Sequence, residues 1–539
     1  MTPNKERTGS IEDYRSFAQI GIALSAEKNI TRLLEMIMNE AKAFSNADAG
    51  TLYIMDEDKK HLCFNIMYND TMNIQMGGTS GLTINLPHVP LYVNGNPNHA
   101  NVSSYAALTG KIVKIKDVYK TKGFDFSGAK AYDQKTGYRS KSMLVIPMKN
   151  HEMEIIGVLQ LLNAKDPDLG ITTEFSRSCV ELIAALASQA AVALTNTQLT
   201  KDLKDLFDGF IQTIADAIDE KSHYTFGHIN RVVTITMMIA KEINKREEGT
   251  FKNIKFTKDE LEELSLAAWL HDIGKITTPE YVVDKATKLE TIFDRIHMIE
   301  ARFNYIAKCI ENRYLKTKIG FFASGSVSDN EIKFLDDTMK TELTTLKNDF
   351  EFVKTCNKSG EFMPDDKIER IKSIAENTYF DINGEIRPYL TDDEVKNLTI
   401  RKGTLLDEER KIIENHATVT YNFLSKLPFP RKLARVPEFA SSHHEKMDGS
   451  GYPKGLTKEE LPIQSRIMAI ADIFEALTAK DRPYRSAMKL SQAVKILGFM
   501  KKDGHIDEDV LELFLDSGIY KEYALKELDP EQIDEIERK

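Results

Sequence analysis

The chain has 539 residues, 42% of them apolar and 29% charged, with a formal net charge of −10. That length predicts more than one domain, and the composition predicts a globular protein with sizeable cores rather than a disordered or fibrous one. The acidic balance argues against a general nucleic-acid binder, and four cysteines without a CxxC pair exclude a zinc ribbon or disulfide framework.

The opening residues, MTPNKERTGSIEDYRS, lack the apolar core of a signal peptide. The most apolar stretch, CVELIAALASQAAVAL, carries Glu181, Ser188 and Gln189 and is too short and too polar to span a bilayer. The expectation is a cytoplasmic protein with neither a membrane nor a nucleic acid as partner.

The first 200 residues read as α/β. In EKNITRLLEMIMNEAKAF, a helical stripe places Ile30, Leu33, Leu34, Ile37, Met38 and Ala41 on one face. AGTLYIM and HLCFNIMY follow as strands around the turn DEDKK, and SMLVIPM and EIIGVLQLLN form a second hairpin around KNHEME. This order of helix, strands, irregular middle, closing hairpin and helix resembles a GAF domain, over residues 11–200. ADAGTLYIMDED, TGYRSKSMLVIPM and IGVLQLLNA carry the likeness. The resemblance implies an antiparallel sheet flanked by helices that senses a small molecule or serves only to dimerise. The Asn-Lys…Phe…Asp-Glu pattern of the cyclic-nucleotide-binding subset is echoed only loosely by Asn163, Lys165, Phe175 and Glu181. Ala164 intervenes, and Cys179 stands near the place of the Asp, so the ligand stays open. The polar segment YKTKGFDFSGAKAYDQ reads as a lid or an exposed loop.

From Phe175 to Lys221 there is no proline, and Leu199, Leu203, Leu206, Phe210, Ile214 and Ala217 keep a three-four rhythm. This predicts a long connecting helix over 175–221 that pairs with its mate in a homodimer or packs on its own domain. Beyond it, residues 208–519 form the second domain. Within that domain, 290–399 reads as a charged helical insertion, and 520–539 as a C-terminal tail.

The second half concentrates the chemistry. In LEELSLAAWLHDIGK, apolar residues at helical spacing run into His271 and Asp272, whose burial is costly unless each finds a partner. A hydrogen-bonded pair, a phosphate loop and a metal site compete. The phosphate loop fails, because Trp269 stands where its first glycine belongs and Ile276 follows Lys275. His228, His416, the doublet His443–His444 and Asp472 also sit on apolar or glycine-rich segments. Five histidines and two aspartates without thiolates suit iron, manganese or zinc rather than a structural zinc knot, with iron or manganese preferred. They exceed one ion's needs and fit two, with an aspartate spanning them and a water made acidic for in-line attack on phosphorus.

HDIGK, HHEKMDGSGYP and RPYR together resemble the HD-GYP family, an all-α branch of the HD hydrolases that opens cyclic di-GMP. The resemblance implies metal ligation by His228, His271, Asp272, His416, His443, His444 and Asp472. It implies that Asp272 and Lys275 carry the catalysis, Lys275 touching the scissile phosphate. Gly451, Tyr452, Arg482 and Arg485 would hold the cyclic dinucleotide, with Glu445 and Asp448 orienting the doublet and its loop. His297 competes with His416, and the family's order favours His416. Tyr224 stands four before His228, where some relatives place a glutamate for a third metal, so two divalent ions are expected. His223 and His505 are read as structural. A receptor that binds a cyclic dinucleotide without cleaving it, and a hydrolase of cyclic GMP-AMP, are the alternatives.

Overall fold

The computed structural model describes residues 11–221, 227–325, 328–358, 362–479 and 487–535. Its contacts divide the chain into two units, Met1–Phe207 and Asp208–Lys539.

In the first unit, helices α1 (Ile11–Ala26) and α2 (Ile30–Ser45) precede a sheet. Asn29 accepts the Arg32 N–H to start α2, and Asn46, at φ 49°, ends it. The strands are β1 (Ala47–Met55), β2 (His61–Asn69), β3 (Ile74–Gly77), β4 (Val113–Ile115), β5 (Met143–Lys149) and β6 (Ile155–Lys165). They lie antiparallel in the order β3-β2-β1-β6-β5-β4, so both expected hairpins form, and the opening strand of the first meets the closing strand of the second at the centre. The register aligns Leu52, Leu159 and Ile146 in one row. Strand alternation turns this row toward Leu33 and Ile37 of α2 and toward Ile183 and Leu186. On the opposite face, Tyr53, Val145 and Val158 pack with α3 (Val102–Thr109). Gly50 lets α2 lie close to β1, because a Cβ there would stand 2.4 Å from Met38 Sδ. α4 (Ser127–Thr136) overlaps the end of the expected lid segment.

The expected long helix is α5 (Arg177–Lys221), 45 residues without interruption. Among the described residues it is the one helix long and apolar enough to cross a membrane by composition. Its Ile183, Leu186, Ala187, Ala190 and Leu194 are instead taken up by the sheet's core.

The second unit gathers α6 (His228–Lys245), α7 (Lys258–Leu270) and the one-turn α8 (Glu280–Val283), then α9 (Ile296–Ser324), α10 (Asp329–Asn357), α11 (Asp365–Glu376) and α12 (Asp392–Leu398). α13 (Asp407–Leu424), α14 (Val436–Ser441), α15 (Ile463–Thr478), α16 (Leu490–Lys502), α17 (Glu508–Asp516) and α18 (Ile519–Glu527) complete it. α9 to α12 have a core of their own, running from Leu289 to Leu398 and including Phe303, Val353 and Ile371. They also hold a two-stranded ribbon, Thr378–Phe380 with Ile386–Pro388, so the second half is not purely helical. At the root of this insertion, Lys285 donates to Asn397 and Glu409, and Lys288 to the Leu398 and Ile400 carbonyls.

α6, α7 and α13 to α18 share one other core. The segment read as a tail is corrected here. α18 inserts Tyr520, Tyr523 and Ala524 into that core, with the Tyr523 ring 5.7 Å from Phe474. An apolar stripe at helical spacing, not position at the end of a chain, decides what is buried.

Candidate metal centre

α7 begins with a capping box between Thr257 and Glu260 and ends at His271, which leaves Asp272 at the head of a 3-10 turn, Ile273–Thr277. α13 clamps this turn. Thr420 Oγ1 accepts from Gly274 N at 3.0 Å and donates to the His271 carbonyl at 3.1 Å. A Cβ on Gly274 would stand 2.0 Å from the His416 carbonyl oxygen, so the turn meets α13 backbone to backbone.

The imidazoles are aimed by what their other nitrogen does. His271, His416 and His443 donate from Nδ1 to the carbonyls of Ala268, Ile413 and Ala440, at 2.7, 2.5 and 2.7 Å. A carbonyl can only accept, which fixes the Nδ1–H tautomer and leaves Nε2 with a lone pair. Those three Nε2 atoms and Asp272 Oδ1 are buried and have no hydrogen-bond partner. His228 Nδ1 meets Glu475 Oε2 at 2.5 Å, and Glu475 Oε1 accepts from Arg231 Nε at 2.7 Å.

The unsatisfied atoms converge. Nε2 of His228 and of His271 lie 3.7 and 3.4 Å from Asp272 Oδ2, and His416 Nε2 lies 3.5 Å from Oδ1. His228 Nε2 is 3.4 Å from Asp472 Oδ1. Ligand atoms of His228, His271 and Asp472, and separately those of His416, His443 and His444, all lie within 4.8 Å of one another. A third trio, His271, Asp272 and His443, joins the two. Orphaned lone pairs at this spacing, in a site without thiolates, fit divalent cations.

Burial depresses His416 and His443, each to about 4, and also lowers His271 and His444, so these rings are neutral and able to ligate near neutral pH. Burial opposes the charge on Asp272, but the Lys275 ammonium beside it holds its carboxyl well below the usual range. Burial also works against His228, and the Glu475 carboxylate outweighs it and raises that ring.

Lys275 Nζ stands 2.5 Å from Asp272 Oδ2. Tyr452 lies against the doublet, its ring 4.8 Å from that of His444. Gly451 abuts the Glu445–Lys446 backbone, where a Cβ would come within 2.4 Å of Lys446 N. Buried Glu445 accepts from Lys454 N and Leu456 N at 2.7 and 2.9 Å, which ties the glycine-rich loop to the doublet. Asp448 accepts from Ser450 N within that loop. A cleft of about 620 Å³ opens beside His443, His444 and Asp472. Arg482, Arg485, His223 and Tyr224 lie outside the described residues.

Family profiles match three stretches of the chain: a GAF domain at residues 29–194, and HD domains at 225–315 and 392–510. The chain is a GAF domain followed by an HD domain. The stretch between the two HD matches falls inside the insertion. HD domains are metal-dependent hydrolases, which agrees with the histidine–aspartate clusters.

Among curated relatives, the chain is 43% identical over 104 residues to 3'3'-cGAMP-specific phosphodiesterase 3 of Vibrio cholerae, covering 19% of this chain and 22% of that one. It is 36% identical over 115 residues to 3'3'-cGAMP-specific phosphodiesterase 1 of the same organism, covering 21% and 26%. It is 39% identical over 98 residues to a cyclic di-GMP phosphodiesterase of Thermotoga maritima, covering 18% and 26%. The matched stretch is thus about a quarter of each relative's length.

The two rival histidines sit in different surroundings. The His297 side chain is 76% exposed and faces only Glu300, whereas His416 points at Asp272. His416→Ala is expected to lose bound metal, and His297→Ala to keep its full complement, as counted by elemental mass spectrometry. Sequence reasoning missed Glu475, although a carboxylate inside the apolar run of α15, one turn after Asp472, was its signal. His505, read as structural, lines the cleft.

The pH dependence follows from the depressed rings. Between about 6.5 and about 4, unfolded His416 and His443 bind protons that the folded rings do not, so stability is lost as pH falls through that window. His271 and His444 act in the same direction, and raised His228 opposes them, as do the Asp219 and Glu263 carboxyls, which burial raises, Asp219 to about 6. Calorimetry of the chelated protein is expected to give a lower melting temperature for the HD unit at pH 5 than at pH 7.

The GAF domain has a cavity of its own, about 540 Å³, walled by Tyr53, Phe64, Phe126, Asn101 and Gln160. Among the described residues no lysine or arginine lines it, and Asp125 accepts from Ser127 N at 2.8 Å. Asn163 and Lys165 do not line it; they bond with Tyr138 and Asp48.

Proposed function

We propose that the HD domain is of the HD-GYP type and hydrolyses a cyclic dinucleotide, cyclic di-GMP, to linear pGpG and onward to GMP. The observation that carries this reading is the Asp272 carboxylate, one oxygen turned to His416 and the other to His228 and His271. The relatives named for cyclic di-GMP and cGAMP hydrolysis support the substrate class.

Two divalent cations, iron or manganese, would be held by His228, His271, Asp472 and Asp272 on one side and by Asp272, His416, His443 and His444 on the other. When bound, they supply Lewis acidity to the phosphate and acidify water. Lys275 neutralises the scissile phosphate and gives a proton to the departing ribose oxygen. Tyr452, Arg482 and Arg485 hold the rest of the dinucleotide, since a guanidinium can both clamp phosphate and stack on a base.

The GAF domain regulates this activity through a small ligand, and the protein acts in the cytoplasm as a homodimer. Leu199, Leu203, Leu206 and Phe210, at three-four spacing on α5, are 49 to 70% exposed, which supports pairing with a second copy.

Full-length protein purified without oxygen, loaded with manganese or iron and given cyclic di-GMP, is expected to release pGpG and GMP on chromatography. Tight binding without product would favour a receptor instead. Release of linear products from cyclic GMP-AMP alone would move the substrate to that rival.

A further inference from the structure

The cleft beside the metal cluster has two unlike walls. One is apolar, formed by Ile473, Ala476 and Leu477 of α15 with Ile496 and Met500 of α16. The other is the face of α13 that carries Arg410, Ile413 and Glu414. His416 is two residues further along this helix, its Nε2 at Asp272, so the same helix that reaches the metal cluster also lines the cleft. Arg410 and Glu414 stand one helical turn apart and therefore side by side. Neither side chain has a hydrogen-bond or ion-pair partner among the described residues, although Glu414 is half-buried. A cleft with an apolar flank and an unused carboxylate and guanidinium on its rim suits a flat heterocycle whose edge carries both donors and acceptors.

We infer that Glu414 and Arg410 select guanine in the dinucleotide, an inference that rests on the cyclic-dinucleotide reading of this site. A carboxylate only accepts. The Watson–Crick edge of guanine offers it two donors, N1–H and the 2-amino group, whereas adenine presents the N1 lone pair against it. Arginine complements this by donating in pairs to guanine O6 and N7. The apolar residues opposite pack against the face of the base, and the base's position sets which phosphodiester lies at Asp272 and Lys275. Glu414 and Arg410 are positioning residues that determine specificity; they carry no step of the bond cleavage.

The sign of one substitution makes the inference sharp. Glutamine keeps the length of Glu414 but offers one acceptor and one donor, the pairing that adenine satisfies. With full-length protein loaded with manganese, the ratio of kcat/KM for cyclic di-GMP over cyclic di-AMP is expected to exceed one. In Glu414→Gln it falls roughly 10- to 100-fold, and Arg410→Gln lowers it in the same direction. Calorimetric binding of pGpG and pApA follows the same order. A ratio unchanged in both variants, or both substrates losing rate by one common factor, overturns the inference. Should the wild-type protein cleave neither dinucleotide yet bind pGpG over pApA, with Glu414→Gln erasing the preference, base selection stands and the hydrolase reading falls.

Discussion

Under the proposed hydrolase reading, Asp272→Asn protein is expected to fold, to lose most of its metal, and to turn over its cyclic dinucleotide roughly a thousandfold more slowly or worse. The carboxylate is buried, with Oδ1 lacking any hydrogen-bond partner and Oδ2 serving His228 and His271 from 3.7 and 3.4 Å. Asparagine replaces one of these oxygens with an amide group that cannot ligate a cation but can donate a hydrogen bond. The orphaned Nε2 of His271 or His416 is then satisfied from within the protein, and a buried charge disappears. The ion pair with Lys275 is lost at the same time, so the chelated variant should melt below the chelated wild type yet still unfold cooperatively, while its metal content and turnover collapse. Elemental analysis, calorimetry and product release together test this. Turnover within about tenfold of wild type would remove Asp272 from the centre of the reaction.

Gly274→Ala is expected to cost about 3 kcal/mol of stability in the HD unit and to weaken metal binding without touching a ligand. Its Cβ would need the space 2.0 Å from the His416 carbonyl and 2.8 Å from Thr420 N, and both are backbone atoms of a packed helix. α13 must retreat, which lengthens the Gly274–Thr420 hydrogen bond and draws His416 away from Asp272. Denaturant unfolding of the metal-free protein reads the stability loss, and metal titration reads the displaced histidine. An alanine variant as stable as wild type would mean that the turn and α13 are not in this contact.

The two experiments probe different layers of one arrangement. Asp272 reports the chemistry of the shared carboxylate. Gly274 reports the backbone contact that brings two distant segments to it. Glu475 belongs to the second layer, since it turns His228 through Nδ1 and is itself held by Arg231 and charged at neutral pH.

Much of this was legible in the residues. Strand alternation around KNHEME and DEDKK, the stripe on α2 and the unbroken run of α5 are local patterns, because a period of two or of three to four writes burial directly into sequence. The adjacency of His271 and Asp272 at the end of an apolar helix marked a buried polar site, and the HHE and GYP strings marked its partner segment. What the sequence alone determined was therefore the elements, and which side chains had to find partners. Tertiary structure decided who the partners were. It set His416 against Asp272 and left His297 exposed, brought in Glu475, folded the last helix into the core, and set Arg410 and Glu414 on the cleft wall. Each of those outcomes depends on which helix faces pack together across long separations in the chain, and local periodicity carries no record of that.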